Sequence, residues 1–275
     1  MQKSPKPNDP IAMRLLRTVC PPSLLVKLRP AYLTREVVNR KSRREQSMGA
    51  LSALVNSGDF VADLGASIGV FALEFSELVG SAGKVFSFEP IAGNFKILEG
   101  VVRKAKLANV KLYHAAVGAN AGRREMVIPK AEGFSGFYTA HFVRENDEGN
   151  IEDHETVETF TLDDLWRNSA IPRLDFIKAD VAGAELEVIT GAKSLITKTL
   201  PGLLIGVSRR TGEHTFDALK QLGYRAFLYT DRLTETEHYL FENTYHYFFL
   251  HPDTKCWQRA VSHGLFDASP VAKNA

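Results

Sequence analysis

The run Asp63-Leu64-Gly65-Ala66-Ser67-Ile68-Gly69 places one carboxylate and two glycines within seven residues, between the apolar run Phe60–Leu64 and the helical run Val70–Val79. In an open α/β sheet, ligands bind at the carboxyl ends of the strands, so a turn in this position faces a cleft. Gly65 permits a ligand to approach the backbone, and Gly69 permits close packing where the helix begins. The spacing is glycine, three residues, glycine. A dinucleotide fingerprint needs glycine, one residue, glycine, two residues, glycine, so that a pyrophosphate sits on the helix N-terminus. Asp63 would repel that phosphate, and it suits a cationic ligand instead.

A second carboxylate stands in Phe88-Glu89-Pro90, twenty residues after Gly69 and at the end of a predicted strand over Lys84–Phe88. Glu89 in that position can accept hydrogen bonds from both hydroxyls of a ribose, with Pro90 beside it. Ala116-Val117-Gly118 follows a third predicted strand; its small and branched residues read either as an apolar slot for an adenine ring or as ordinary core packing. S-adenosylmethionine carries an ammonium, a sulfonium, an adenosine and no phosphate. It is the cofactor to which Asp63, Gly65, Ala66, Ser67, Gly69, Glu89, Pro90, Ala116 and Val117 point. The acceptor side is expected at Phe176-Ile177-Lys178-Ala179-Asp180-Val181-Ala182-Gly183-Ala184-Glu185, a buried strand that ends in a carboxylate and turns through glycine into a helix. Asp180 is the first candidate for a base there, Glu185 the second and Lys178 the third. A first-turn Glu also serves a helix dipole without any chemistry, and a lysine within a strand can simply pair with a carboxylate.

These residues need an alternating scaffold, and the sequence supplies one. After Phe60–Leu64 and Val70–Val79 come a strand at Lys84–Phe88, a helix near Asn94–Ala105 and a strand at Val110–Tyr113 continuing towards Ala116-Val117. Residues 119–155, centred on Gly133-Phe134-Ser135-Gly136-Phe137-Tyr138, show no sustained period and read as a long functional loop. Order resumes with Val157–Phe160, an N-cap at Thr161, and a strand at Leu174–Ala179. A helix from about Ala184 to Thr190, a strand at Leu203–Val207, a helix at Thr215–Leu222 and strands at Tyr224–Leu228 and Tyr245–Leu250 follow. Strand and helix in alternation predict an α/β fold with a mainly parallel sheet covered on both faces. Three segments are expected: a basic helical extension over 1–47, the α/β domain over 48–255 and a C-terminal tail over 256–275.

The 275 residues are 44% hydrophobic and 24% charged, an ordinary composition for a globular protein with a substantial core. The net charge of +2 hides an asymmetry: residues 1–47 hold eleven Lys/Arg against three Asp/Glu, a net of +8 that leaves −6 for the rest. Ile11, Ala12, Leu15, Leu16 and Val19 recur at roughly helical spacing beside Arg14 and Arg17. That arm reads first as a helix packed on the domain, and second as a weak peripheral contact with an anionic membrane surface. Pro21-Pro22 and Pro30 are expected to break it into short pieces. No apolar run approaches the ~18 to 20 residues that span a bilayer, and the opening residues lead into no secretory segment, so a cytoplasmic protein is expected. Cys20 and Cys256 are the only cysteines, and neither they nor His114, His141, His154, His214 and His246 have metal-ligand spacing. No metal is therefore assigned.

With these motifs in place, the chain resembles the FkbM family of class I methyltransferases, whose described members methylate hydroxyls of sugars and natural products. The resemblance runs over roughly Gly58–Leu250. It rests on Val61–Gly69, Phe88-Glu89-Pro90, Ala115-Ala116-Val117-Gly118, Val157–Leu165 and above all Asp175–Glu185 followed by Gly191-Ala192. It implies a Rossmann-like, seven-stranded sheet with the last strand antiparallel, S-adenosylmethionine as cofactor, and O-methylation of a small hydroxylated acceptor. Two departures fall on the acceptor side. The family's Asp-Val-Glu-Gly-Ala-Glu has Ala182 in place of its middle Glu, and Gly206 stands where the family tends to place a Glu at the fifth strand. The resemblance therefore supports cofactor binding more directly than a family-type acid/base or metal arrangement. An RNA methyltransferase is one alternative, supported by the basic arm. The body is net acidic and shows no aromatic-basic stacking module, which disfavours a nucleic-acid partner. A cofactor-binding relative without catalysis is the other alternative. A nicotinamide-dependent oxidoreductase is a distant third alternative, against which the glycine spacing argues.

Overall fold

A computed structural model describes residues 22–39, 47–129, 140–143, 151–240 and 245–266. The expected helix over 11–19, Cys20 and the run Gly133–Tyr138 lie outside them. One large sheet organises the chain. Strands β1 (Phe60–Leu64), β2 (Lys84–Phe88) and β3 (Val110–Tyr113) pair in parallel on one side, and β8 (Phe176–Ala179) and β9 (Gly202–Val207) extend the parallel sheet on the other. Strand β12 (Tyr245–Leu250) inserts antiparallel between β9 and β10 (Arg225–Tyr229). A short strand β11 (Leu233–Thr236) closes the edge, giving the order β11-β10-β12-β9-β8-β1-β2-β3. The sheet thus has eight strands where seven were expected. The additional one is a four-residue edge hairpin with a single fully buried residue, Leu233.

Strand side chains alternate between two cores because successive Cβ atoms point to opposite faces. Ala62, Ile177, Leu203, Ile205 and Phe249 meet helices α5 (Leu162–Arg167), α6 (Glu185–Gly191), α7 (Lys193–Thr199) and α8 (Gly212–Gln221). Val61, Phe176, Leu204 and Phe248 face the other way, onto α2 (Met48–Leu54), α3 (Val70–Val79) and α9 (Lys255–Ser262). Thr161 caps α5 as expected, its side chain accepting from the Asp164 amide. The C-terminal helix is part of this body: Cys256 and Ala260 are buried, and Arg259 Nη2 donates to Asp59 Oδ1 at 3.0 Å.

Two expectations need correction. Helix α1 runs unbroken over Pro22–Val38 with Pro30 inside it. The ring removes one backbone donor, but α1 packs along α4 (Ala92–Ala105): Val37 joins Ile97 and Val101 in one apolar cluster, and Thr34 Oγ1 donates to the Ile97 carbonyl at 3.5 Å. The segment 119–155 is not a plain loop either. β5 (Gly122–Pro129) and β7 (Ile151–Phe160) pair antiparallel within a second sheet of order β4-β7-β5-β6, where β4 is Ala116–Val117 and β6 is His141–Phe142. Its strands are rich in charge because they pair partly through ions, as Arg123 does with Glu158 at 2.6 Å. That pattern hides the apolar alternation a strand normally shows.

Candidate active site

The site forms where β1, β2 and β8 end. The turn after β1 and the turn after β8 are packed backbone on backbone: a Cβ on Gly65 would lie 2.1 Å from the carbonyl oxygen of Asp180, and Gly65 has φ +69°. Only glycine meets both conditions. Gly69, at φ +92°, precedes α3, and a Cβ there would meet Leu98 Cδ1 at 2.9 Å. Beneath the turn, Lys178 on β8 reaches across to β1. Its Nζ donates to the Gly65 carbonyl at 2.8 Å and the Leu64 carbonyl at 3.3 Å, and stands 3.2 Å from Asp63 Oδ1. Asp63 and Lys178 are thus the buried brace of the glycine turn. Asp63 does not itself line the cavity above it, nor does Gly69.

Glu89 follows β2 and is buried with its carboxylate at the cavity wall. Oε2 accepts from the Ser67 amide at 2.8 Å, and Oε1 accepts from the Ile91 amide at 3.0 Å and from Asn94 Nδ2 at 3.4 Å. These bonds tie the β1 turn to the β2 turn and fix the carboxylate's orientation. Burial pushes its pKa up to about 7, against the lowering effect of the two amides, Asn94 and the Lys178 charge.

The cavity measures about 320 Å³. Of the sequence-predicted residues it brings together Gly65, Ala66, Ser67, Glu89, Pro90, Ala116, Val117, Lys178 and Asp180. Three lining residues, Met126, Ala140 and Phe142, come from the second sheet and its approach, which the sequence presented as part of an irregular loop. They share an apolar cluster with Ile91 and Ala116. Arg124 holds this wall to α6: it pairs with Glu187, and its guanidinium lies 3.6 Å from the centre of the Phe142 ring.

On the acceptor side, Asp180 lines the cavity with its side chain 45% exposed. Its Oδ2 stands 3.5 Å from Nε2 of His246 on β12. Desolvation pushes the Asp180 carboxyl up, but the His246 contact and the Lys178 and His246 charges outweigh it and hold the group at about 2. Glu185 is placed differently. It is buried outside the cavity lining, with Oε1 accepting from the Gly183 amide at 2.7 Å and Oε2 from Thr211 Oγ1 at 2.7 Å; desolvation raises its pKa. Ala182 lines the cavity in the left-handed region at φ +49°. His246 carried no motif in the sequence. Only the pairing of β12 with β9, which sets His246 opposite Gly206, brings it to Asp180. Among the described residues, no group of three His, Cys, Asp or Glu is placed to hold a metal ion.

No curated protein matches the chain. Among solved structures, it is similar to an FkbM methyltransferase from Methylobacillus flagellatus KT, at 17% identity and a TM-score of 0.48, over 87% of this chain and 57% of that one. The chain thus spans little more than half the length of that protein. It is also similar to fibrillarin from Aeropyrum pernix, in complex with natively bound S-adenosyl-L-methionine (15% identity, TM-score 0.44, 74% and 73% of the two chains). A third is an S-adenosylmethionine-dependent O-methyltransferase from Thermotoga maritima (17%, TM-score 0.41, 80% and 71%). The methyltransferase FkbM domain matches residues 63–226, from the end of β1 into β10. With more than half of its length inside that match, the chain belongs to the FkbM family of S-adenosylmethionine-dependent methyltransferases.

Proposed function

We propose that this chain transfers the methyl group of S-adenosylmethionine to a hydroxyl of a small acceptor of the sugar or natural-product type. The observation that carries the reading is one cavity with two differently prepared carboxylates, Glu89 at the end of β2 and Asp180 at the end of β8. The donor set fits the cofactor. Ala116, Val117, Met126 and Phe142 offer an apolar slot to a purine ring, Glu89 offers acceptors to ribose hydroxyls, and the two acids of the lining, Glu89 and Asp180, suit a cationic rather than a phosphate-bearing ligand. When bound, the cofactor supplies a methyl carbon made electrophilic by its sulfonium.

The chain's own residues then orient and deprotonate. Holding an acceptor oxygen in line with the reacting carbon is worth up to ~7 to 11 kcal/mol in favourable cases. Asp180 lines the cavity as a carboxylate that would accept the hydroxyl's hydrogen bond; with its carboxyl held at about 2 it is a weak base, so its share is orientation plus an enhancement at or below the low end of the roughly 10²-fold that a well-matched base adds. Lys178 is committed to Asp63 and two carbonyls, and Glu185 to Gly183 and Thr211, so Asp180 is preferred over both. The catalytic unit of this reading starts at residue 48 and runs past 255 to include α9, with 1–47 as a basic extension. No described helix is long and apolar enough to cross a membrane.

The test is calorimetric titration with S-adenosylmethionine and, separately, NADH, followed by an acceptor panel of sugars and glycosylated metabolites. Binding of the first alone, weakened by Glu89→Ala, supports the reading. Absence of binding with and without acceptors overturns it.

A further inference from the structure

His246 reaches the acceptor edge from a strand distant in sequence, and a gap opposite it makes room. A Cβ on Gly206 would stand 2.9 Å from Asp180 Oδ1 and 3.2 Å from His246 Nε2. The space beside the Gly206 backbone is thus bordered by an aspartate–histidine pair. A side chain at 206 would crowd both members of the pair and push the Asp180 carboxylate from its present place. Behind the pair, His246 packs edge-on against Phe71, with ring centroids 6.3 Å apart, and Phe71 lines the cavity. The imidazole thus stands on β12 with the Phe71 ring on one side and Asp180 Oδ2 3.5 Å from its tip.

We propose that His246 is a positioning residue of this site: its Nε2 fixes the orientation of the Asp180 carboxylate at the acceptor edge, and the absence of a side chain at Gly206 leaves the pair its room. The proposal rests on the methyltransferase reading for the role of Asp180, but not for the existence of the pair. A lone carboxylate on a surface turn samples several rotamers. One held by a ring nitrogen presents its second oxygen in a defined direction. Other charged groups reach the pair from β8 and α6: Lys178 and Glu185 both act electrostatically on Asp180. β9 contributes the Gly206 backbone and α3 the Phe71 ring.

The pair is tested first without cofactor or acceptor, by following the His246 imidazole through a pH titration by NMR in the full chain. A carboxylate at this distance favours the protonated ring. Asp180→Asn is expected to lower the midpoint by about one pH unit or more, and Gly206→Ala to do the same by separating the partners. Identical midpoints in all three proteins overturn the proposal. In the transfer assay, His246→Ala is expected to lower kcat by roughly 10- to 100-fold with the calorimetric affinity for S-adenosylmethionine unchanged. His246→Gln, which keeps a donor near the Nε2 position, is expected to recover most of that loss and to remove the imidazole's limb from the pH–rate profile. His246→Ala at the parental kcat overturns the role as well. If the parent protein binds no S-adenosylmethionine while the midpoints still move, the methyltransferase reading fails and the pair stands.

Discussion

Lys178 Nζ lies 3.2 Å from Asp63 Oδ1, with the two side chains only 3% and 0% exposed. A charge pair this deep gives little net stability over a well-packed apolar pair, but removing one partner strands the other in a medium that cannot solvate it. Lys178→Met is therefore expected to destabilise the protein by about 3 to 5 kcal/mol, read as a lower midpoint in urea denaturation. The double variant Asp63→Asn with Lys178→Met should recover a large part of that loss. A single variant within about 1 kcal/mol of the parent would show that the pair is not the brace of the turn.

The buried Glu89 carboxyl predicts a pH dependence with a definite sign. Burial raises its folded-state pKa to about 7 from the ordinary 4.5, so the folded chain binds more protons than the unfolded chain between those values. Stability from this group is full below about pH 4.5 and is lost as pH rises through about 7. Glu89→Gln should flatten that part of the stability profile. Cofactor hydroxyls that donate to Glu89 favour its ionised form, so binding near pH 6.5 is expected to release protons. Calorimetry in two buffers of different ionisation enthalpy measures this, and Glu89→Gln should abolish the difference.

Two glycines with positive φ separate strain from steric exclusion. Gly58 has φ +87° and open space around it, whereas Gly65 has φ +69° and the Asp180 carbonyl 2.1 Å from where a Cβ would stand. Gly58→Ala is expected to cost roughly 1 kcal/mol, the backbone penalty alone. Gly65→Ala adds a clash with main chain that cannot rotate away. It should cost several times more and displace the Asp180 turn, removing cofactor binding even where the chain still folds. Equal stabilities for the two variants would contradict the close approach of the two turns.

The site was legible in the sequence where it depends on local order. Phe60–Leu64 and Val70–Val79 are bounded by glycine and turn residues, so the Asp63–Gly69 turn between them follows from periodicity alone, as does Glu89 at the end of β2. What escaped depends on pairing between distant segments. His246 lies 66 residues beyond Asp180 in the chain, and nothing in its neighbours distinguishes it until β12 docks on β9. The second sheet was hidden because its strands pair charged side chains across the ladder, as Arg123 does with Glu158. Asp63 was legible as an important acid and illegible as the partner of Lys178, since both lie in runs whose register is set by the sheet.

The second sheet provides the remaining test. Arg124 spans from β5 to Glu187 on α6 and lies over Phe142, whose ring lines the cavity. Both members of the ion pair are about one-third exposed, so solvent screens the attraction and its share of stability is small, about 1 kcal/mol at most. Its effect on the cavity wall is expected to be larger than its effect on folding. Arg124→Ala should leave the denaturation midpoint nearly unchanged, yet weaken S-adenosylmethionine binding several-fold by releasing Phe142. Arg124→Lys keeps the charge but loses the planar stacking group, and should fall between the parent and the alanine variant. Raising the salt concentration should weaken binding to the parent slightly and to Arg124→Ala not at all. If Arg124→Ala binds the cofactor as the parent does, the wall formed by Phe142 holds its place without the arginine, and α6 is not its anchor.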